Sequence, residues 1–276
     1  MRDAFAPTTL REALEIRAEH PEAVPVAGGT DLMVELNARR LRSAALLDLS
    51  RIDELRGWGR DNGRVYVGAG VTFARIEREL GEFVPLVEAA SSVASPQIRN
   101  RATIGGNLAT ASPAGDSIPV LAAYDADVVV ASVDGEPRRV PLTTFLVGPK
   151  LTSLTPDELI IGVEWAPVHG PGSFAKVGRR SAMIIAVASV CLQVDEAGGV
   201  RLALGSVAPT VVRAAAAEEF VEGLDLGDPD VLAEFGRMAA SEARPIDDLR
   251  GTAEYRRRVL EVLARRALAR AGAVRC

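Results

Sequence analysis

Thr103–Asp116 reads TIGGNLATASPAGD: a β-branched pair, two glycines, Asn107, the small hydroxyl residues Thr110 and Ser112, a proline and an acid. Glycine pairs let the backbone adopt positive φ and let a ligand approach the main chain closely. Successive N–H groups in such a turn form a concave site for an anion such as phosphate. Asp116 supplies an acceptor of the kind that sugar hydroxyls need. Taken alone, the stretch reads equally as a Gly-Gly turn in a β-rich domain, because short glycine motifs recur by chance.

The same order occurs a second time. Val26-Ala27-Gly28-Gly29-Thr30-Asp31 and Thr103-Ile104-Gly105-Gly106-Asn107 share a β-branched residue, a small or apolar one, two glycines and a hydroxyl or amide. Two such turns, each following a strand, would face one diphosphate from opposite sides. Hydrogen bonds to a charged acceptor contribute ~1.5–3 kcal/mol each. Four to six of them would supply much of the roughly 12 kcal/mol that nanomolar binding requires. Neither turn fits G-x-G-x-x-G, and neither carries the lysine of a P-loop, which disfavours a Rossmann site or an NTPase.

Composition narrows the class. The chain has 276 residues, enough for two or three packed units, and a formal net charge of −5, which argues against a general nucleic-acid binder. Aromatic residues make up 4%, too few for stacking platforms on single-stranded nucleic acid. Only Cys191 and Cys276 are cysteines, so the chain cannot by itself supply the four ligands of an iron–sulfur cluster, and no disulfide framework is implied. The N-terminal MRDAFAPTTLREALE lacks the apolar region of a signal peptide, and Met183–Leu192 is too short to cross a bilayer. A cytoplasmic location and no transmembrane segment are expected.

Thr9 with Glu12 forms a capping box that opens a helix running to about His20. Val24–Ala27, Leu46–Leu49, Val65–Val67, Asp127–Val133 and Leu159–Trp165 read as strands, and Leu32–Leu41 as a short helix. Further helices are expected from Thr72 to Gly81, over Leu86–Val93 and over Ser117–Tyr124, with SPQIRNRA as a polar loop. His169-Gly-Pro-Gly172 marks a domain boundary. The expected division is 1–169, with subdomains of about 1–55 and 56–169, and 170–276. Beyond the boundary come three antiparallel strands, Phe174–Val177, Ile184–Val194 and Val200–Val207, then helices over Ala214–Val221, Asp230–Ala243 and Glu254–Ala271. The arginines of the last helix read as a solvated face, or as one that docks on an acidic partner.

At AGGTDL, QIRNRATIGGNLATASPAGDS, FAKVGRR, LALGSVAPTVVRA and AEYRRRVLEVLARRAL the chain resembles the flavin-binding medium subunits of molybdenum hydroxylases, the xanthine dehydrogenase and aerobic carbon monoxide dehydrogenase group. That resemblance implies an α+β fold. Its FAD-binding part is of the vanillyl-alcohol oxidase and p-cresol methylhydroxylase type, with two subdomains, followed by a three-stranded antiparallel sheet with a helix bundle. Carried over by residue, Pro25, Val26, Ala27, Gly28, Gly29, Thr30, Asp31 and Leu32 would line the diphosphate, and Thr103, Ile104, Gly105, Gly106 and Asn107 would meet it from the other side. Ala94 would offer backbone contacts near the flavin and ribityl region. Asp116 would bind the adenosine ribose, Leu159 and Ile160 would pack the adenine end, and Lys176 would reach the flavin ring. Where some relatives place an aromatic against the flavin, Val93, Met183, Ile184 and Ile185 stand here. Neither histidine and neither cysteine falls in a flavin motif, so the FAD is expected to be non-covalent.

No nucleophile–base set, paired carboxylates or metal-ligand spacing is present, and two histidines leave little for acid–base chemistry. A cofactor would carry the reaction and the protein would position it. The resemblance implies an electron-transfer subunit without catalytic residues of its own. It would take electrons from [2Fe–2S] centres on a small partner, with molybdopterin on a large partner, and pass them to NAD⁺, a quinone or oxygen. The alternatives are a free-standing flavin oxidase or dehydrogenase and a non-catalytic flavin-binding assembly module.

Overall fold

The computed structural model describes residues 3–41, 45–180 and 183–275. Cys276 lies outside them. The first unit comprises β1 (Asp3–Phe5), α1 (Leu10–Glu19), β2 (Val24–Val26), α2 (Leu32–Asn37) and β3 (Ala45–Asp48), its parallel strands in the order β1-β3-β2. Thr9 caps α1 by accepting from the Glu12 amide, as the capping box predicts.

The second unit begins with the hairpin β4 (Trp58–Asp61) and β5 (Arg64–Gly68). Five helices follow: α3 (Phe73–Glu79), α4 (Val84–Ser92), α5 (Pro96–Arg99), α6 (Ile104–Thr110) and α7 (Ser117–Ala123). Then come β6 (Asp127–Ala131), β7 (Arg138–Pro141), α8 (Leu142–Phe145), the small hairpin β8 (Leu146–Gly148) and β9 (Leu151–Thr152), and β10 (Leu159–Trp165). β10 lies at the centre of a sheet ordered β4-β5-β10-β6-β7. Every residue of β10 is buried, because the first unit covers one sheet face and the helices cover the other. Leu159 and Ile161 pack toward the first unit, whereas Ile160, Val163 and Trp165 pack toward the helices. A bulge between Ile160 and Gly162 accounts for the change of parity.

The third unit contains β11 (Gly172–Val177), β12 (Ala188–Val194), β13 (Val200–Gly205) and the two-residue β14 (Val212–Arg213), followed by α9 (Ala215–Phe220), α10 (Pro229–Glu242) and α11 (Ala253–Arg275). One face of this antiparallel sheet packs on α9–α11 through Val190, Leu192, Leu202 and Leu204. From its other face Phe174, Cys191 and Ala203 enter the core of the second unit.

Three expectations need correction. SPQIRNRA is not simply a loop, since Ser95 caps the short helix α5. Thr103–Asn107 is not a turn after a strand: Thr103 is the N-cap of α6, and both glycines lie in its first turn. The strand expected from Ile184 starts only at Ala188.

Arg256, at the start of α11, is buried and donates to the carbonyls of Val187 and Ser206 at 2.6 and 2.8 Å and to Asp248 at 2.6 Å. It ties the ends of β12 and β13 to the helix bundle. Arg256→Ala should strip these acceptors of their donor and cost about 3 kcal/mol or more, read as a lower midpoint of chemical denaturation.

Candidate functional site

The first glycine motif touches the two residues that lead into the second. A Cβ on Gly28 would collide with the carbonyl of Arg101 and crowd the Cα of Ala102, so only glycine lets these backbones meet. Gly29 has φ +72°, the left-handed region that the following turn into α2 requires. Gly105 is equally closed in, its Cβ position 2.5 Å from the Ala69 Cβ. Gly106 differs: a side chain there would meet only Thr103 Oγ1, at 3.1 Å, and otherwise open space.

Hydrogen-bond accounting separates the motifs further. In the second, Ile104 N–H donates to the Val71 carbonyl and Gly105 N–H to the Ala69 carbonyl, both at 3.0 Å. Gly106 N–H donates to Thr103 Oγ1 at 3.0 Å, and Asn107 N–H to the Thr103 carbonyl. That segment is stitched to its own fold. In the first motif, by contrast, the amides of Ala27, Gly28, Gly29, Thr30, Asp31 and Leu32 donate to no acceptor among the described residues. Six successive free donors at the start of a helix suit a diphosphate. Free donors suited to an anion are thus found in the first motif and not in the second among the described residues, whereas the repeated sequence suggested both. The second contributes the exposed glycine surface of Gly106.

Asp116 and Lys176 lie in contact, with Nζ 2.6 Å from Oδ2. Both side chains are almost wholly buried. Lys176 also donates to the carbonyls of Ser92 and Ile184 at 2.9 and 3.1 Å, which uses all three of its protons. Two expectations meet a physical limit here. An extended FAD separates its adenosine ribose from its ring by a ribityl chain and a diphosphate, so residues in contact cannot serve both. A lysine whose donors are spent also cannot reach a flavin carbonyl without giving one up. Asp116 keeps one buried oxygen, Oδ1, with no hydrogen-bond partner. Burial raises its pKa to about 6, against the lowering effect of Lys176.

Ala94 adopts φ +38°, a left-handed conformation uncommon outside glycine, two residues beyond the carbonyl that Lys176 holds. Leu159 and Ile160 are buried strand residues at the end of β10 farthest from Trp165, on opposite faces of the sheet, rather than one surface. Ser92, Ala69 and Val71 were not anticipated, and Ile184 was anticipated only as a residue near the flavin, not as an acceptor for Lys176. They act through backbone carbonyls, which leave no mark in side-chain identity. Ser117, which donates to Asn107 Oδ1 at 2.7 Å, stands directly after Asp116 and was legible only as part of that motif. His20 stacks on Phe5, and Cys191 is fully buried with its thiol pushed up by desolvation. Among the described residues no cluster of three potential metal ligands occurs.

Free loop amides, an exposed glycine and an unpartnered buried carboxylate oxygen are features suited to holding a phosphate-bearing ligand. The chain belongs to the family described as the FAD-binding domain in molybdopterin dehydrogenase, whose model matches residues 1–165, and residues 173–271 match the carbon monoxide dehydrogenase flavoprotein C-terminal domain. It is similar to the nicotinate dehydrogenase FAD-subunit of Eubacterium barkeri, at 35% identity over 70% of this chain and 69% of that one. It is also similar to the xanthine dehydrogenase FAD-binding subunit of Escherichia coli, at 31% identity over 95% and 93% of the two chains. Among solved structures, carbon monoxide dehydrogenase from Hydrogenophaga pseudoflava aligns with a TM-score of 0.91 and 29% identity over 99% of this chain and 97% of that one. FAD is thus the cofactor class, and no described helix is long and apolar enough to cross a membrane.

Gly106 and Gly28 make a diagnostic pair. Gly106→Val should lower FAD retention at least about tenfold with a smaller loss of stability than Gly28→Ala, because its Cβ would meet one side-chain oxygen, Thr103 Oγ1, and not another backbone segment. Gly28→Ala should force the motifs apart, costing ~1–3 kcal/mol of stability as well as FAD. Flavin absorbance per protein and thermal unfolding together distinguish the two variants.

Proposed function

We propose that this chain is the electron-transfer subunit of a molybdenum hydroxylase complex, holding FAD non-covalently and passing electrons from [2Fe–2S] centres on a small partner to NAD⁺, a quinone or oxygen. The observation that carries this reading is the row of free amides from Ala27 to Leu32 beside Gly106. FAD would supply the redox chemistry, accepting electrons singly and releasing them singly or as a pair. The protein's own work is to hold it. The Ala27–Leu32 amides would neutralise the diphosphate. Asp116 Oδ1 would accept from a hydroxyl or ring N–H of the cofactor, and Lys176 would fix that carboxylate while joining the loops at Ser92 and Ile184. Two cysteines in the whole chain support placing the clusters on a small partner, and the family match supports a separate molybdopterin-bearing one.

Purified protein should carry a flavin spectrum and release FAD on heating or acidification; flavin that stays on denatured protein would overturn the non-covalent reading. Copurification should bring down iron- and molybdenum-containing subunits.

The charge on Asp116 adds a pH dependence. A cofactor hydrogen bond to Oδ1 favours the carboxylate, so binding must release the proton carried below about pH 6. FAD affinity of the apoprotein should therefore fall as pH drops through about 6, and this dependence should flatten in Asp116→Asn. Titrating apoprotein with FAD between pH 5 and 8, a range that brackets the Asp116 transition near about 6, checks both.

A further inference from the structure

Between the second and third units lies a cleft of about 230 Å³ that none of the expected FAD residues lines. Phe83, Pro85 and Tyr124 form its wall in the second unit, and Gln193 and Arg270 face them from the third. Lys176 is on the strand that borders it, β11, but four residues beyond Gly172, roughly 13 Å along the chain. The cleft is therefore distinct from the buried lysine and its carboxylate.

Gln193 sets the chemistry. It follows Cys191 on the face of β12 that enters the second unit, and it is only 3% exposed. Both protons of its amide are spent, on the carbonyl of Gly170 at 3.1 Å and that of Val194 at 2.9 Å. The orientation of the amide is thereby fixed, and Oε1 is an acceptor held in place. No donor among the described residues reaches it. Gly172 keeps this oxygen clear, since a Cβ there would collide with it. Water or a ligand must supply the missing donor.

Charge narrows the ligand. Arg270 and Glu82 are the charged residues of the lining, and each is already paired, Arg270 with Glu88 at 3.0 Å and Glu82 with Arg60. An ion entering the cleft would lose water without gaining an unmatched countercharge. Arg270 nonetheless keeps N–H groups without an acceptor among the described residues. Phe83 and Tyr124, packed against Trp165 with ring centroids at 5.3 and 5.5 Å, offer rigid apolar surface. The volume suits one small ring system, being below the ~300–1,000 Å³ of sites for larger ligands.

We propose that this cleft binds a small, neutral, planar heteroaromatic molecule. Its N–H donates to Gln193 Oε1, and its carbonyl or ring nitrogen accepts from Arg270. The site stands apart from the flavin and from the electron-transfer reading. A ligand there touches both units at once, so binding stabilises their junction.

The test uses the full chain saturated with FAD, so that the flavin site is occupied, titrated calorimetrically with quinazolinone, its N-methylated analogue and naphthoate. Quinazolinone should bind one to one and raise the unfolding midpoint. The methylated analogue, which has no donor, and the anionic naphthoate should each bind about tenfold or more weakly. Val84→Trp, at a 44% exposed position of the lining, should abolish binding by filling the cleft. Arg270→Leu should weaken it about tenfold, and because that side chain is 60% exposed it tests the site even if Val84→Trp lowers the unfolding midpoint. Both variants should keep wild-type FAD content. Absence of saturable binding overturns the proposal, as does wild-type affinity in both variants. Equal binding of the methylated analogue overturns the role of Gln193, and tighter binding of naphthoate overturns the neutral class of ligand.

Discussion

The ammonium of Lys176 is buried among groups drawn from three parts of the chain, and the arrangement of the site depends on satisfying it. A buried cation with unpaired protons is costly enough that its partners must be in place together. Here they are the carbonyl of Ser92 at the end of α4, the carboxylate at the start of α7 and the carbonyl of Ile184 before β12. Lys176 itself lies on β11, so one side chain links the helices of the second unit to the sheet of the third. Asp116 is held in place at the cost of its ordinary acidity. Its remaining oxygen is buried without a hydrogen-bond partner among the described residues.

The glycine motifs show how similar sequences take different physical roles. In the second motif the Thr103 cap and the carbonyls of Ala69 and Val71 consume the amides that a phosphate would use. In the first there is no such partner, since β2 is an edge strand of a small parallel sheet and the loop leaves it directly. Free donors persist in a folded chain only where solvent or a ligand reaches them. The difference is therefore one of surroundings and not of residue type.

Much of the architecture was legible in the sequence. β10 is bounded in sequence by residues of known preference and appears at the expected positions, Leu159–Trp165, and the capping box at Thr9–Glu12 started its helix where expected. The repetition of the Gly-Gly order was visible too, but not the different hydrogen bonding of its two copies. What was not visible came from tertiary hydrogen bonding. The helix at Ile104 contains two glycines, poor helix formers, and exists because Thr103 caps it and because the chain at 71–73 pairs with 102–104. The contact of Lys176 with Asp116 joins residues 60 apart, and no local pattern encodes it. The same holds for backbone carbonyls, which every residue carries alike.

Phe174, Cys191 and Ala203 belong to the third unit in sequence, yet they are packed into the same apolar core as Phe83, Leu121 and Trp165 of the second. A hinge needs an interface that can part at low cost, and this one is a shared interior. The two units are thus thermodynamically one body. Heat or denaturant should melt them in a single cooperative step, without a stage in which the C-terminal unit swings free of the second.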